Sequence, residues 1–169
     1  MREIRPIQWA SGKLRLLDQT RLPLEQVTLE LGHHQQVVDA IREMRVRGAP
    51  AIGVAAAYAV AMAAREITAT DRKKFLARLR DAASAIAAAR PTAVNLQWAV
   101  GRMLQVADAE PDWKAVADRL LAEARRLQEE DEEINRRMGD AGKDLIPDGG
   151  AVLTHCNTGA LATAGYGTA

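Results

Sequence analysis

The residues best suited to chemistry fall in three short stretches. The first holds Cys156, the one cysteine of the chain, within Val152-Leu153-Thr154-His155-Cys156-Asn157-Thr158-Gly159. An apolar strand-like run there ends in a polar, glycine-bearing turn, and Ala160-Leu161-Ala162-Thr163-Ala164 reads as the start of a helix. Open parallel sheets bind ligands at the carboxyl ends of their strands, so a thiol here is placed to react. Neighbouring N–H groups would lower its pKa or join it in stabilising a developing oxyanion. The other reading is a small, inert apolar residue. The second and third stretches are Arg47-Gly48-Ala49-Pro50 and Arg90-Pro91, each an arginine before an expected proline-led helix start. A helix N-terminus offers unpaired N–H groups and partial positive charge, and a guanidinium adds a fork of donors matched to phosphate oxygens. Gly48 would let a ligand approach the backbone. The two together describe halves of an anion site for a phosphate monoester; alternatively, the arginines pair with Glu43 or Asp39.

Other polar residues carry less. His155 is adjacent to Cys156, but strand neighbours face opposite ways, so it is expected on a sheet face rather than paired with the thiol. His33-His34 has no carboxylate or cysteine at ligand spacing, and no metal site is expected. Asn157, Thr158 and Gly159 suit a tight turn and could also line a sugar pocket. Gly165-Tyr166-Gly167 lacks the third glycine and acidic partner of a dinucleotide fingerprint, so nucleotide binding is discarded.

These groups need elements to hold them. Ile4–Trp9, Lys13–Asp18 and Val27–Leu31 read as strands, with Ser11-Gly12 as a turn, and predict a small antiparallel sheet. From Gln35 the period becomes helical, with Val37, Val38, Ile41 and Met44 on one face. Pro50 opens an alanine-rich helix to Ile67. Asp71 caps the next, with Phe75, Leu79, Ala82 and Ile86 inward. Val94, Trp98 and Leu104 mark a fourth. Pro111-Asp112 opens a long fifth helix with Trp113, Val116, Leu120, Ala124, Leu127, Asp131 and Ile134 on one side. Glu129, Glu130, Glu132 and Glu133 form its solvated side. Residues 1–138 are thus expected as a mainly helical domain, 139–150 as a glycine- and aspartate-rich linker, and 151–169 as the first strand and helix start of an α/β domain. The sequence stops at Ala169 before a second strand could pair, so the chain alone is expected to be inactive.

Bulk properties narrow the partners. A formal net charge of +1 gives no global field for nucleic acid or an anionic membrane. Met1–Pro6 lacks the apolar core of a signal peptide. The uncharged run from Gly48 to Ala64 is alanine-rich and interrupted by Gly53, which suits a buried helix better than a membrane span. A single cysteine excludes an internal disulfide and is compatible with a reducing cytoplasm.

Taken together, Arg47-Gly48-Ala49-Pro50-Ala51-Ile52-Gly53, Arg90-Pro91-Thr92-Ala93-Val94-Asn95-Leu96 and Thr154–Ala162 resemble the methylthioribose-1-phosphate isomerase family of methionine salvage. Ile7-Gln8-Trp9 and Leu16-Leu17-Asp18-Gln19 fit as well. The resemblance covers essentially the whole chain as the N-terminal half of such an enzyme. It implies a mainly helical domain followed by a Rossmann-like α/β domain, with the active site between them. It implies a cytoplasmic homodimer without cofactor or metal, acting on a phosphorylated pentose. By motif, Arg47, Gly48, Ala49 and Arg90 would bind substrate and Cys156 would be catalytic. The family's acid, an aspartate of the later Rossmann-like part, has no match here; that C-terminal domain would have to be supplied, if need be by another chain. Ribose-1,5-bisphosphate isomerase is a second relative. A third is the non-catalytic regulatory subunit of the translation-initiation guanine-nucleotide exchange factor.

Overall fold

The computed structural model describes residues 4–168; Met1–Glu3 and Ala169, which the leader and chain-end expectations involve, lie outside the described residues. Three strands open the chain: β1 (Ile7–Ala10), β2 (Lys13–Leu17) and β3 (Thr28–Leu31), an antiparallel sheet in the order β1-β2-β3. Ser11 and Gly12 make the β1–β2 turn at positive φ, 50° and 78°. The register pairs Ile7 with Leu16 and Leu14 with Leu31. One sheet face therefore carries Ile7, Leu14, Leu16 and Leu31, all buried. On the other face, Arg15 meets Glu30 at 2.6 Å, and this pairing holds the Glu30 carboxyl below its usual range.

Five helices follow: α1 (His34–Arg42), α2 (Ala49–Glu66), α3 (Arg72–Ala87), α4 (Val94–Ala109) and α5 (Val116–Gly142). The alanine-rich α2 is the centre of the fold. Every residue from Ala51 to Ala64 is buried, and the other helices pack around it. A helix that is apolar on all sides belongs in a core, and small side chains let its neighbours come close. No helix among the described residues is long and apolar enough to cross a membrane. The Asp71 carboxylate caps α3 by accepting the Lys74 N–H at 2.8 Å. Trp9 stacks on Tyr58 at 5.4 Å and docks the sheet on α2. The Tyr58 hydroxyl donates to Gln128 of α5 at 2.7 Å, and burial pushes its pKa up to about 12.

Several expectations change. The inner face of α4 is Leu96, Ala99, Val100, Met103 and Ala107, whereas Val94 and Trp98 are 76% and 55% exposed. Both faces carry apolar residues, and packing against α2 and α5 selects the one with the smaller side chains. On α5 the buried side turns from Ile134 to Asn135. The acidic side of α5 is only partly solvated, because Arg102 bridges Glu123 and Glu130, each at 2.6 Å. The helix α5 also runs past Gly139 to Gly142 before a short 3-10 turn at Lys143–Leu145.

The C-terminal stretch departs most from its expected form. Residues 151–155 are exposed and without regular structure, and they pair with no strand among the described residues. A strand exists only through a partner's ladder, and this chain presents none there. The expected helix start is a single 3-10 turn, Ala160–Ala162. The turn is nevertheless well seated, since Ala162, Thr163 and Ala164 are buried against the helical body.

Candidate active site

One open cavity of about 300 Å³ gathers all three stretches. Its walls include Arg47, Gly48 and Ala49 at the start of α2, Arg90 before α4, and Cys156 with Asn157. Met44, Ile52, Thr92 and Ala93 line it as well. Neither Arg47 nor Arg90 makes an ion pair among the described residues. The carboxylates offered as alternatives are engaged elsewhere: Glu43 holds Arg45 at 2.6 Å, and Asp39 lies beside Arg42. The two guanidinium groups are therefore available to a ligand.

Local geometry explains why these stretches converge. Gly53 of α2 lies where a Cβ would come within 3.1 Å of the Asn95 carbonyl, so the first turns of α2 and α4 are in near contact. The Arg90 stretch reaches the cavity differently from the expected form. Arg90–Ala93 is a turn closed by the Ala93 N–H donating to the Arg90 carbonyl at 3.0 Å, and α4 begins only at Val94. Pro91 thus shapes a turn rather than leading a helix, whereas Pro50 does lie in the first turn of α2. Gly48 also has a different role. Its φ is 92°, and a Cβ there would overlap the Ala162 backbone. The close approach that requires glycine is by the chain's own 3-10 turn, which carries the Cys156 stretch into place.

Cys156 is exposed and sits in a bend at φ 66°. Met44 of the same cavity is at φ 59°. Non-glycine residues at positive φ are costly and gather at functional sites. His155 is exposed, because there is no sheet face for it to occupy. The His33-His34 pair does have a carboxylate: Glu66 of α2 lies 2.6 Å from the His34 ring.

Two residues that sequence reasoning did not single out hold the Cys156 stretch. The Gln19 side-chain amide donates to the Leu161 carbonyl at 2.7 Å. Its own backbone N–H donates to the Arg45 carbonyl at 2.9 Å, so the segment just after β2 links the chain leading into Arg47 with the Cys156 stretch. From the opposite side, the Asp131 carboxylate of α5 accepts the Ala164 N–H at 2.7 Å. The signal available beforehand was Asp131 on the apolar side of its helix.

Burial pushes the Asp131 carboxyl up from its ordinary value of 3.8, against the lowering effect of the Ala164 N–H. A raised folded-state pKa means that the native state holds the proton more tightly. That stabilising contribution is full below pH 3.8 and is lost as pH rises through the folded value. Asp131→Asn keeps an acceptor for Ala164 and removes this loss. Urea midpoints of the two proteins are expected to diverge in favour of the variant from mildly acidic to neutral pH.

The chain is 50% identical over 167 residues to the methylthioribose-1-phosphate isomerase of Geotalea uraniireducens, covering 98% of this chain and 48% of that protein. It is 52% identical over 166 residues to the one from Pelotomaculum thermopropionicum, covering 96% and 46%. The chain therefore spans about half the length of these relatives. Among solved structures, 5-methylthioribose 1-phosphate isomerase from Pyrococcus horikoshii matches at a TM-score of 0.90 and 34% identity, over 99% of this chain and 47% of that one. Translation initiation factor eIF-2B, subunit delta, from A. fulgidus matches at 0.84 and 43%, over 95% and 47%. The model of the Initiation factor 2 subunit family matches residues 45–165, a span that runs from the Arg47 stretch through the Cys156 turn. The motifs, the fold and this match agree: the chain belongs to the Initiation factor 2 subunit family.

Proposed function

We propose that this chain is the N-terminal part of an isomerase that converts S-methyl-5-thioribose 1-phosphate to the corresponding ribulose 1-phosphate. The observation that carries the proposal is the shared cavity of Arg47, Arg90 and Cys156. In this reading the substrate phosphate lies between the two guanidinium groups and the first N–H groups of α2. The substrate is an aldose whose ring is locked by its own C1 phosphate. Opening it requires protonation of the ring oxygen while the phosphate is held, and hydrogen then passes from C2 to C1. Cys156 is the group at the reacting carbons, and residues 151–169 begin a Rossmann-like domain that supplies the acid.

The relative with eIF-2B in its name favours a second reading, a binding protein of the same fold. A site for an anion beside an exposed thiol supports the catalyst, since a scaffold has no use for both. Assay of the full-length protein with S-methyl-5-thioribose 1-phosphate and with ribose 1,5-bisphosphate separates the readings. Turnover of the first sugar is expected. Turnover of the second alone identifies the sister isomerase, and turnover of neither favours the binding protein.

Arg47→Ala is expected to raise KM by roughly 10- to 100-fold, the effect of a lost charge-assisted bond to phosphate. Arg47→Lys restores the charge without the fork and recovers part of the loss. Steady-state kinetics of the two variants check this.

A further inference from the structure

Gln19 bonds to both stretches that the proposed reaction must keep in register. Its backbone N–H donates to the carbonyl of Arg45, just ahead of Arg47, and its side-chain amide donates to the carbonyl of Leu161, in the turn that follows Cys156. The backbone that carries this bridge is itself fixed. Asp18, the residue before it, is buried, and its N–H donates to the Val27 carbonyl at 2.8 Å. The Asp18 carboxylate accepts the Thr20 N–H at 3.0 Å and the Thr20 hydroxyl at 2.6 Å. The Arg45 guanidinium lies 3.4 Å from the same carboxylate, a second tie between this segment and the Arg47 stretch. Gln19 is half-buried, so water competes less well for the Leu161 carbonyl. The Ala160–Ala162 turn has no ladder or following helix turn of its own to hold it. Asp131 anchors its far side to α5, whereas Gln19 anchors it to the segment that also fixes Arg45.

We propose that Gln19 is a positioning residue for the isomerisation, acting through Leu161 and Arg45 to set the Cys156 turn at its working distance from the Arg47 stretch. The inference rests on the isomerase reading above. With the phosphate end of the sugar held by the arginines, the reacting carbons fall at a fixed reach from Arg47, and the thiol must meet them there. A misplacement of about 1 Å can cost ~10²-fold in rate. The loss appears in kcat rather than in KM, because the phosphate contacts come from Arg47 and Arg90 and remain in place.

The experiment compares Gln19→Ala and Gln19→Glu with the unaltered full-length protein by steady-state kinetics on S-methyl-5-thioribose 1-phosphate. Rates are taken per folded molecule, with the folded fraction read from denaturation curves. Gln19→Ala is expected to lower kcat by about 10- to 100-fold and to change KM by less than about threefold. Gln19→Glu keeps the length of the side chain, but a carboxylate has no proton to donate to the Leu161 carbonyl. Protonation restores a donor, and the neighbouring carbonyl raises the carboxyl from its ordinary value of about 4.3 by favouring the neutral form. The Glu variant is therefore expected to be as slow as the Ala variant near about pH 8 and to gain at least about threefold on it by about pH 6. A residue that serves stability alone would lower the denaturation midpoint and leave kcat and the pH profile as they were, and that result overturns the proposal. A raised KM with kcat intact makes Gln19 a substrate contact and overturns it as well, as does a Glu profile parallel to that of the Ala variant. Absence of turnover in the unaltered protein overturns the isomerase reading itself.

Discussion

Cys156→Ala in the full-length protein is expected to lower kcat by about 10²- to 10⁴-fold, the range for loss of a positioned acid–base group. Substrate affinity, measured by calorimetry, is expected to change by less than about threefold, because the phosphate contacts come from Arg47 and Arg90 and not from the thiol. The substitution is well suited to the question. Cys156 is exposed, so removing its sulfur opens no core cavity. Its φ of 66° imposes a similar backbone cost on alanine as on cysteine, so the bend is not relieved. Near-normal turnover would remove Cys156 from the chemistry and leave the cavity as a binding site only.

Gly48→Ala is expected to produce the largest loss of stability of any single methyl added to the site. Two independent penalties meet there. A side chain at φ 92° is strained, at about 1–3 kcal/mol. The added Cβ also overlaps the backbone of Ala162, which cannot rotate away as a side-chain tip would. Overpacking of this kind costs a further ~1–3 kcal/mol. The Ala160–Ala162 turn is the simplest element to yield, since it is a single turn held by Gln19 and Asp131. Its displacement would carry Cys156 and Asn157 away from Arg47, so catalysis is expected to fall together with the denaturation midpoint. Gly101 of α4, where a Cβ would meet nothing within 4 Å, serves as the control: Gly101→Ala is expected to leave turnover unchanged and to raise the midpoint slightly, since alanine is favoured over glycine within a helix by about 0.5–1 kcal/mol. A Gly48→Ala protein with an unaltered midpoint would contradict the packing described here.

The strands and helices were legible where their signals are local. The alternation of Lys13–Leu17, the Asp71 cap and the uninterrupted apolar run of α2 each state their structure within one element. Legibility failed where the deciding contact is distant. Val94 and Trp98 have helical spacing as good as that of the residues actually buried, and only the shape of α2 and α5 chooses between the two faces of α4. The run Val152-Leu153-Thr154 has strand composition, yet strand formation depends on a neighbour and not on composition. The Arg47, Arg90 and Cys156 stretches stood out by residue type as candidates, with ion-paired arginines and an inert cysteine as the alternatives, and only the shared cavity places them together. The Gln19 bond to Leu161 spans 142 positions, and no periodicity or motif within a window announces such a pair.

The sequence by itself determined the elements from β1 to α5, the residue types able to hold an anion and present a thiol, and the family those motifs resemble. Tertiary structure alone decided that these residues face one cavity and which face of α4 is covered. The physical reason is that convergence depends on how closely backbones can approach. That distance is set by Gly53 against Asn95 and Gly48 against Ala162, contacts between residues far apart in the chain.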